Sequence, residues 1–237
     1  MTEVVINKQT FKRIVSDVKD LIINPLNDDN IFYKHDENNL LKGYAMIVGP
    51  KNTCYFNGFF FFVFDFPPDY PFAPPKVTYH TNNGTTRFNP NLYRDGKVCL
   101  SLLNTWRGDS WSACQTIRSV LLVLQSILND EPLLNEPGIT KNHEDFITYN
   151  EVVTYESYNY AFYTQYIKKN GIFEIFRNDM LEYYNKNKHI IISEVNKLAN
   201  NIQNKYKKYP INIYISTYSL SIEIDYSTLI NNIKNIP

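Results

Sequence analysis

The order of hydrophobic patterns along the chain of 237 residues predicts an α+β fold. An amphipathic helix comes first, four strand-like segments follow as an antiparallel meander, and helical patterns return only after a long loop. Strands that are grouped in this way argue against a fold in which strands and helices alternate. Apolar residues make up 43% and charged residues 20% of the chain, which is typical of a globular protein with a sizeable core.

The N-terminal helix is predicted from apolar residues at helical spacing, with charged residues on the opposite face. The apolar positions are Phe11, Ile14, Val15, Val18, Leu21 and Ile22. Pro25 and the polar residues 27–30 end this helix.

Four alternating or aromatic segments follow the helix, and turn signals separate them. These signals are Gly49-Pro50, Asn57-Gly58 and a corner with five prolines within residues 67–75. The predicted strands are residues 31–35, 40–48, 58–66 and 76–79.

Residues 81–112 show almost no periodicity, and a loop of that length inside a compact domain is usually functional or disordered. Its apolar residues indicate packing, so we interpret it as functional. Helices are predicted again at 113–128, 144–167 and 173–206, and a strand pair at 211–224. No linker in this order of elements clearly cuts the chain in two.

Charge and cysteine content narrow the possible function classes. Lysines and arginines balance the acidic residues, 24 against 24, so no field of one sign predicts nucleic acid or an anionic membrane as a partner. The first eight residues lack a secretory-signal pattern, and the apolar run 59–64 is too short to span a bilayer. Three unclustered cysteines argue against a disulfide framework or a zinc site. We predict an intracellular protein of the cytoplasm or nucleus, not a secreted one.

Cys99 is the candidate nucleophile, because it lies in the long loop among apolar residues and a thiolate attacks carbonyl groups without a strong base. Asn91, eight residues earlier, carries an amide that can donate to an oxyanion. The four histidines lie in no recognisable catalytic context, whereas a cysteine–histidine hydrolase needs a partnered histidine. The residues alone therefore favour acyl transfer over proteolysis.

The stretch Phe88-Asn89-Pro90-Asn91, followed by Gly96 and Cys99-Leu100, resembles the active-site signature of ubiquitin-conjugating enzymes. That signature is His-Pro-Asn, a variable segment, Gly, two residues, Cys and usually Leu. The segment 66–77 is similar to the proline-rich corner of the same family, and Trp111-Ser112 to the residues that open its next helix. The motifs keep their order and spacing from about Phe11 to Gly138, so the resemblance implies the ubiquitin-conjugating-enzyme fold, with C-terminal helices and an extension. It implies a catalytic core (1–145), C-terminal helices packed on that core (146–208) and a strand-like tail of unknown role (209–237).

The resemblance implies a role for each matching residue. Cys99 would carry ubiquitin as a thioester, and Asn91 would support the loop or stabilise the oxyanion during lysine attack. Tyr93 matches an aromatic position along the acceptor-lysine channel. Glu136, or Asn135 beside it, falls where many members place an acidic residue that helps desolvate and deprotonate the lysine.

The resemblance also implies partners: ubiquitin, an activating enzyme, a ubiquitin ligase and protein substrates. The residues that match the surface for ligases or the activating enzyme are Phe11, Lys12, Arg13, Pro71, Phe72, Ser112 and Ala113. No cofactor is implied for this chain, because the activating enzyme is the protein that uses ATP.

Two departures from the family pattern stand out. Asn89 replaces the usual histidine, so we expect the loop to be held by a different hydrogen bond. The insertion 102–108 is similar to one subgroup, which includes the conjugating domains of the very large hybrid conjugating enzyme–ligases. Trp106, Trp111, Cys54 and Cys114 are predicted to be packing residues.

Three alternatives remain at this stage. The carried group is a different ubiquitin-like modifier, or the chain is a non-catalytic variant that only binds ubiquitin or a partner. A cysteine hydrolase is the most distant alternative.

Overall fold

The computed structural model describes residues 6–168, 171–207 and 209–236. The remaining residues of the predicted units, namely 1–5, 169, 170, 208 and 237, lie outside the described residues, and so does most of the N-terminal segment in which we found no secretory signal. The structure has an N-terminal helix, a four-stranded antiparallel sheet, a long loop and C-terminal helices, in that order. The predicted α+β fold class is therefore confirmed.

The N-terminal helix α1 runs from Lys8 to Ile23, and the Asn7 side chain caps it by accepting from the Thr10 backbone N–H at 2.8 Å. Only part of the predicted apolar stripe is buried. Ile14 and Leu21 face the core, whereas Phe11 and Ile22 are 52% and 74% exposed. The helix therefore presents apolar side chains to solvent beside the face that it buries.

The sheet consists of β1 (Ile31–His35), β2 (Lys42–Val48), β3 (Phe59–Asp65) and β4 (Lys76–Tyr79), in the order β1-β2-β3-β4. In its register, Ala45 pairs with Tyr33 on one side and with Phe62 on the other. The strand predictions hold to within two residues at each end, because the turn signals between the strands determine where pairing stops.

The central strand β3 is buried on both faces of the sheet, and this explains its continuous apolar run. Phe60 packs edge-on against Phe88 in the active-site loop, with ring centroids 5.8 Å apart. On the other face Phe61 stacks on Phe173 at 4.7 Å. The sheet is therefore a middle layer between the loop side and the C-terminal helices.

Helix α2 runs from Ile117 to Ser126, four residues shorter at its start than predicted. Thr116 caps it, accepting from the Ser119 backbone N–H at 3.2 Å while the Ser119 hydroxyl accepts from the Thr116 N–H. Ala113 and Cys114 therefore lie in the turn before the helix.

The C-terminal helices begin with α3 (Phe146–Glu156), which continues into a π-helical segment at Ser157–Thr164 and the short α4 (Gln165–Ile167). After a 3-10 turn at Gly171–Phe176, the long helix α5 spans Arg177–Lys205. These helices cover the sheet with aromatic side chains, because both Phe162 and Tyr183 contact the ring of Phe59.

The tail forms a β-hairpin of β5 (Ile211–Ile215) and β6 (Leu220–Ile224), as predicted. We call the 3-10 segment Ser216–Tyr218 that joins the two strands the hairpin turn. A further helix, α6 (Tyr226–Lys234), was not predicted, although Asp225 caps it through the backbone N–H groups of Ser227 and Thr228. No helix in the described part of the chain is long and apolar enough to cross a membrane.

Candidate active site

Cys99 lies in the loop between β4 and α2 and is 3% exposed. Two hydrogen bonds join it to Asn91: the Cys99 N–H donates to the Asn91 carbonyl at 2.8 Å, and Asn91 Nδ2 donates to the Cys99 carbonyl at 2.7 Å. Leu92 and Val98 pair between them in an antiparallel bridge. Cys99 is therefore held against Asn91 by one bond to the backbone of the asparagine and one from its side chain.

Asn89 is fully buried and uses both ends of its amide. Its Nδ2 donates to the Tyr55 hydroxyl and to the Ile127 carbonyl, each at 2.8 Å. Its Oδ1 accepts from the Asn91 N–H, also at 2.8 Å. Asn89 therefore ties the active-site loop to the end of α2 and to the core, at the position where the family usually has histidine.

The Cys99 thiol points to the insertion 102–108, where its Sγ donates to the Thr105 carbonyl at 3.2 Å. The Thr105 hydroxyl accepts from the Leu100 N–H and donates to the Val98 carbonyl, both at 2.8 Å. The insertion therefore forms one wall beside the sulfur and is held there by the residues that flank Cys99.

Opposing influences act on the ionisation of Cys99. Burial raises the pKa of the thiol and outweighs the positive charges of Lys97 and Arg87 and a hydrogen bond with Tyr93, which lower it. The carboxylate of Glu136 also raises this pKa. The thiol is therefore mostly protonated at neutral pH and has to lose its proton before it attacks.

Arg87 is part of the site and was not predicted. Its guanidinium carbon lies 3.5 Å from the centroid of the Tyr93 ring, and its Nη2 donates to the Pro90 carbonyl at 2.6 Å. The only hint in the sequence is its place directly before Phe88-Asn89-Pro90-Asn91, which does not show where the side chain points.

Glu136 follows a 3-10 turn at Pro132–Asn135 and is half-buried. Its Oε2 accepts from the Tyr218 hydroxyl at 2.7 Å, and its charge acts on Cys99. The Nδ2 of Asn135, the alternative candidate, is buried without a hydrogen-bond partner among the described residues. The structure therefore brings Cys99, Asn91, Tyr93 and Glu136 together in one site.

The residues predicted to bind partners divide into two groups. Those exposed to solvent are Phe11, Lys12, Phe72, Ser112 and Ala113. The other two are less exposed: Pro71 is buried, with its carbonyl accepting from Trp111 Nε1 at 2.7 Å, and the half-buried Arg13 donates to the carbonyls of Ala113 and Gln115. Arg13 and Pro71 therefore connect the pieces of this surface, and their own polar groups are already occupied.

The packing predictions hold for Trp111 and Cys54, which are both buried. They are wrong for Trp106, which is 52% exposed on the insertion, and for Cys114, which is exposed before α2. An insertion and a turn have no periodicity, so the sequence carries no signal from which their burial can be inferred. Within the described residues, no group of three or more His, Cys, Asp and Glu side chains could hold a metal ion.

Comparison with known proteins finds relatives that are named ubiquitin-conjugating enzymes. Ubiquitin-conjugating enzyme E2 Z of Homo sapiens is 44% identical over 156 residues, which cover 65% of this chain and 44% of that protein. The Danio rerio protein of the same name is 38% identical over 185 residues, or 75% of this chain and 56% of that protein. The chain spans about half the length of these curated relatives.

The human dual E2 ubiquitin-conjugating enzyme/E3 ubiquitin-protein ligase BIRC6 is 46% identical, but over only 119 residues, or 48% of this chain and 2% of that protein. The matches to E2 Z are longer, so the predicted special closeness to the hybrid enzymes is not supported. Residues 13–157, more than half of the chain, match the family described as ubiquitin-conjugating enzyme. The chain therefore belongs to the ubiquitin-conjugating enzyme family.

Proposed function

We propose that this chain accepts ubiquitin from an activating enzyme as a thioester on Cys99 and transfers it to a substrate lysine or to a ligase. The observation that carries the proposal is the environment of the Cys99 thiol: it donates to the Thr105 carbonyl, and its pKa responds to Lys97, Arg87, Tyr93 and Glu136 around it. The other two cysteines lie in no such environment.

In the first step, Cys99 Sγ attacks the thioester carbonyl that links ubiquitin to the activating enzyme. A new carbon–sulfur bond forms, the old one breaks, and the departing thiolate takes up the proton that Cys99 loses. In the second step, a lysine amine attacks the new thioester, an amide forms, and the Cys99 thiolate leaves. The amine loses one proton in this step. Glu136 is the nearby carboxylate that we assign to receive this proton or to orient the amine.

Asn91 acts mainly by holding the loop in this proposal, because its Nδ2 already donates to the Cys99 carbonyl. An oxyanion role requires that the amide leave this bond during lysine attack. Tyr93 lines the route of the acceptor lysine, and stacking of the Arg87 guanidinium keeps its ring in place.

The partners proposed are ubiquitin, an activating enzyme, a ligase and protein substrates, within the cytoplasm or nucleus. Docking of the activating enzyme or a ligase is assigned to the exposed side chains Phe11, Lys12, Phe72, Ser112 and Ala113. No cofactor is assigned to this chain, since ATP is consumed by the activating enzyme. We also keep the division into a catalytic core (1–145), helices that pack on it (146–208) and a tail (209–237).

Within the family, we propose that the chain belongs to a subgroup that contains both E2 Z and the conjugating domain of BIRC6. The identities of 44% and 46% are similar, and the E2 Z matches extend over more of the chain. Ligase activity is not part of the proposal, because the match to BIRC6 covers 2% of that protein.

The test is a charging reaction with ubiquitin, an activating enzyme and ATP, followed by gels run without and with thiol. We expect an adduct one ubiquitin heavier that thiol removes and that Cys99→Ala does not form, while Cys114→Ala forms it normally. Parallel reactions with other ubiquitin-like modifiers and their activating enzymes would reveal a different carried group.

Failure of folded protein to charge with any of these modifiers would favour the non-catalytic binding variant and contradict the proposal. Reaction of Cys99 with a glycine-terminal electrophilic ubiquitin probe, without ATP and without charging, would indicate the hydrolase instead.

A further inference from the structure

The hairpin turn of the C-terminal tail lies against the candidate active site. The Tyr218 hydroxyl donates to Glu136 Oε2 at 2.7 Å, and the Tyr218 carbonyl accepts from Arg94 Nη2 at 3.1 Å. One residue of the tail therefore contacts both the acceptor-side carboxylate and the active-site loop.

Aromatic and cationic contacts hold the Tyr218 ring in place. Its centroid lies 5.6 Å from that of the buried Tyr149, and the Arg87 guanidinium carbon lies 5.5 Å away. Because the same guanidinium lies 3.5 Å from the Tyr93 ring, Arg87 is placed between two tyrosines that belong to distant parts of the chain.

The backbone of the hairpin turn is anchored separately by Asp145, which is 4% exposed. The carboxylate accepts from the N–H groups and hydroxyls of both Ser216 and Thr217, at distances from 2.6 to 3.2 Å. Four donors on one buried carboxylate restrict the turn to a single position, so the Tyr218 hydroxyl is presented to Glu136 by a rigid support.

We infer that Tyr218 is a positioning residue for the transfer step. Its hydroxyl holds the Glu136 carboxylate beside Cys99, so that Glu136 can orient the acceptor amine or receive its proton. This inference rests on the proposed function and adds a part to it, namely that the tail completes the acceptor side of the site. Tyr218 takes no part in bond making, and it acts only through Glu136.

A carboxylate on a loop with no fixed partner samples several rotamers. The time spent in the other rotamers lowers the fraction of molecules that have the productive geometry. The Tyr218 hydroxyl removes that freedom while it leaves the second carboxylate oxygen available. Charging of Cys99 requires no acceptor amine, so the same contact is irrelevant to the first step.

The experiment measures single-turnover discharge of the Cys99–ubiquitin thioester to free lysine after activation has been stopped. Tyr218→Phe keeps the ring between Arg87 and Tyr149 and removes only the hydroxyl. Tyr214→Phe is the matched control, because Tyr214 is 61% exposed on the same hairpin and its hydroxyl has no hydrogen bond among the described residues. We expect all variants to charge alike, Tyr218→Phe to discharge about five-fold more slowly and Tyr214→Phe to match the parent.

The double variant separates positioning from a general structural effect. If Tyr218 acts through Glu136, then Glu136→Gln and Glu136→Gln with Tyr218→Phe will discharge equally slowly. Multiplying effects would contradict the inference, and so would parent-like discharge by Tyr218→Phe.

The outcomes also separate this inference from the proposed function. If the parent does not charge, the proposed function fails. If the parent charges and Glu136→Gln discharges normally, only the acceptor-side role and the inference built on it are wrong.

Discussion

Two sets of polar contacts hold the candidate site, and they differ in the distance along the chain that they span. The active-site loop closes on itself: Asn91 bonds to Cys99 eight residues later, and Cys99 to Thr105 six residues later. The hairpin turn reaches the site from 71 to 82 residues away, through Asp145 and Glu136. The hydrogen bonds of Cys99 itself are therefore local, although Asn89 also ties the loop to Tyr55 and Ile127. Glu136, in contrast, is contacted by a segment from the far end of the chain.

The anchor of the hairpin turn differs from the loop bonds in charge as well. Burial raises the pKa of the Asp145 carboxyl, but the hydrogen bonds from Thr217 and Ser216 outweigh it, so the pKa lies below its ordinary value. The ionised form is therefore favoured in the folded protein. The loop, in contrast, is held mostly by neutral amides and carbonyls, which do not respond to pH.

Asp145→Asn gives the largest expected effect, because it removes the charge from a buried acceptor and turns an N–H group towards the donors of the hairpin turn. We expect a loss of about 2 kcal/mol in the free energy of unfolding and a fall of about 4 to 8 °C in Tm. Glu144→Gln is the control, since Glu144 is exposed and, among the described residues, its side chain accepts only from the Ser216 hydroxyl.

The sign of the pH dependence sharpens this prediction. A carboxyl whose pKa is lower in the folded state stabilises the protein above its unfolded pKa, and this contribution disappears as the pH falls through the folded pKa. The difference in Tm between the parent and Asp145→Asn should therefore shrink as the pH is lowered from 7 towards 3. A difference that stays constant over this range would show that the charge of Asp145 is not what anchors the turn.

The same contrast explains what could be predicted from the sequence. The strands and Cys99 can be predicted from the sequence because turn residues mark the strand ends and a local motif marks Cys99. The sequence does not predict the roles of Tyr218, Arg87 and Asp145, because each acts through contacts that only tertiary folding creates. The sequence predicts that α2 begins at Ala113, whereas the Thr116 cap sets its start at Ile117, and the pattern does not predict α6.

Asn91→Ala tests the local half of the comparison. Removal of the side chain breaks its bond to the Cys99 carbonyl but leaves the Cys99 N–H bond to the Asn91 carbonyl. We expect near-normal charging and discharge to lysine about ten-fold slower, measured in the single-turnover assay. A loss of about a hundred-fold or more would indicate that the amide leaves the loop to stabilise the oxyanion. Unchanged discharge would remove Asn91 from the mechanism.

The smallest expected effect concerns Arg87, the side chain that lies between the two halves of the site. Arg87→Gln keeps an amide that can donate to the Pro90 carbonyl and removes the positive charge that lowers the pKa of Cys99. The thiolate fraction at a given pH then falls, and we expect alkylation of Cys99 by iodoacetamide to slow by about three-fold at pH 7.5.

Peptide mass spectrometry can follow the alkylation of each cysteine, and the exposed Cys114 provides the reference rate within the same sample. Because burial keeps the Cys99 thiol protonated, its alkylation rate should rise about ten-fold from pH 7 to pH 8 in the parent and in Arg87→Gln alike. A rate that is already level across this range would mean that the thiolate dominates at neutral pH. In that case the cations around Cys99 would outweigh its burial, and the proton would be lost before the activating enzyme arrives.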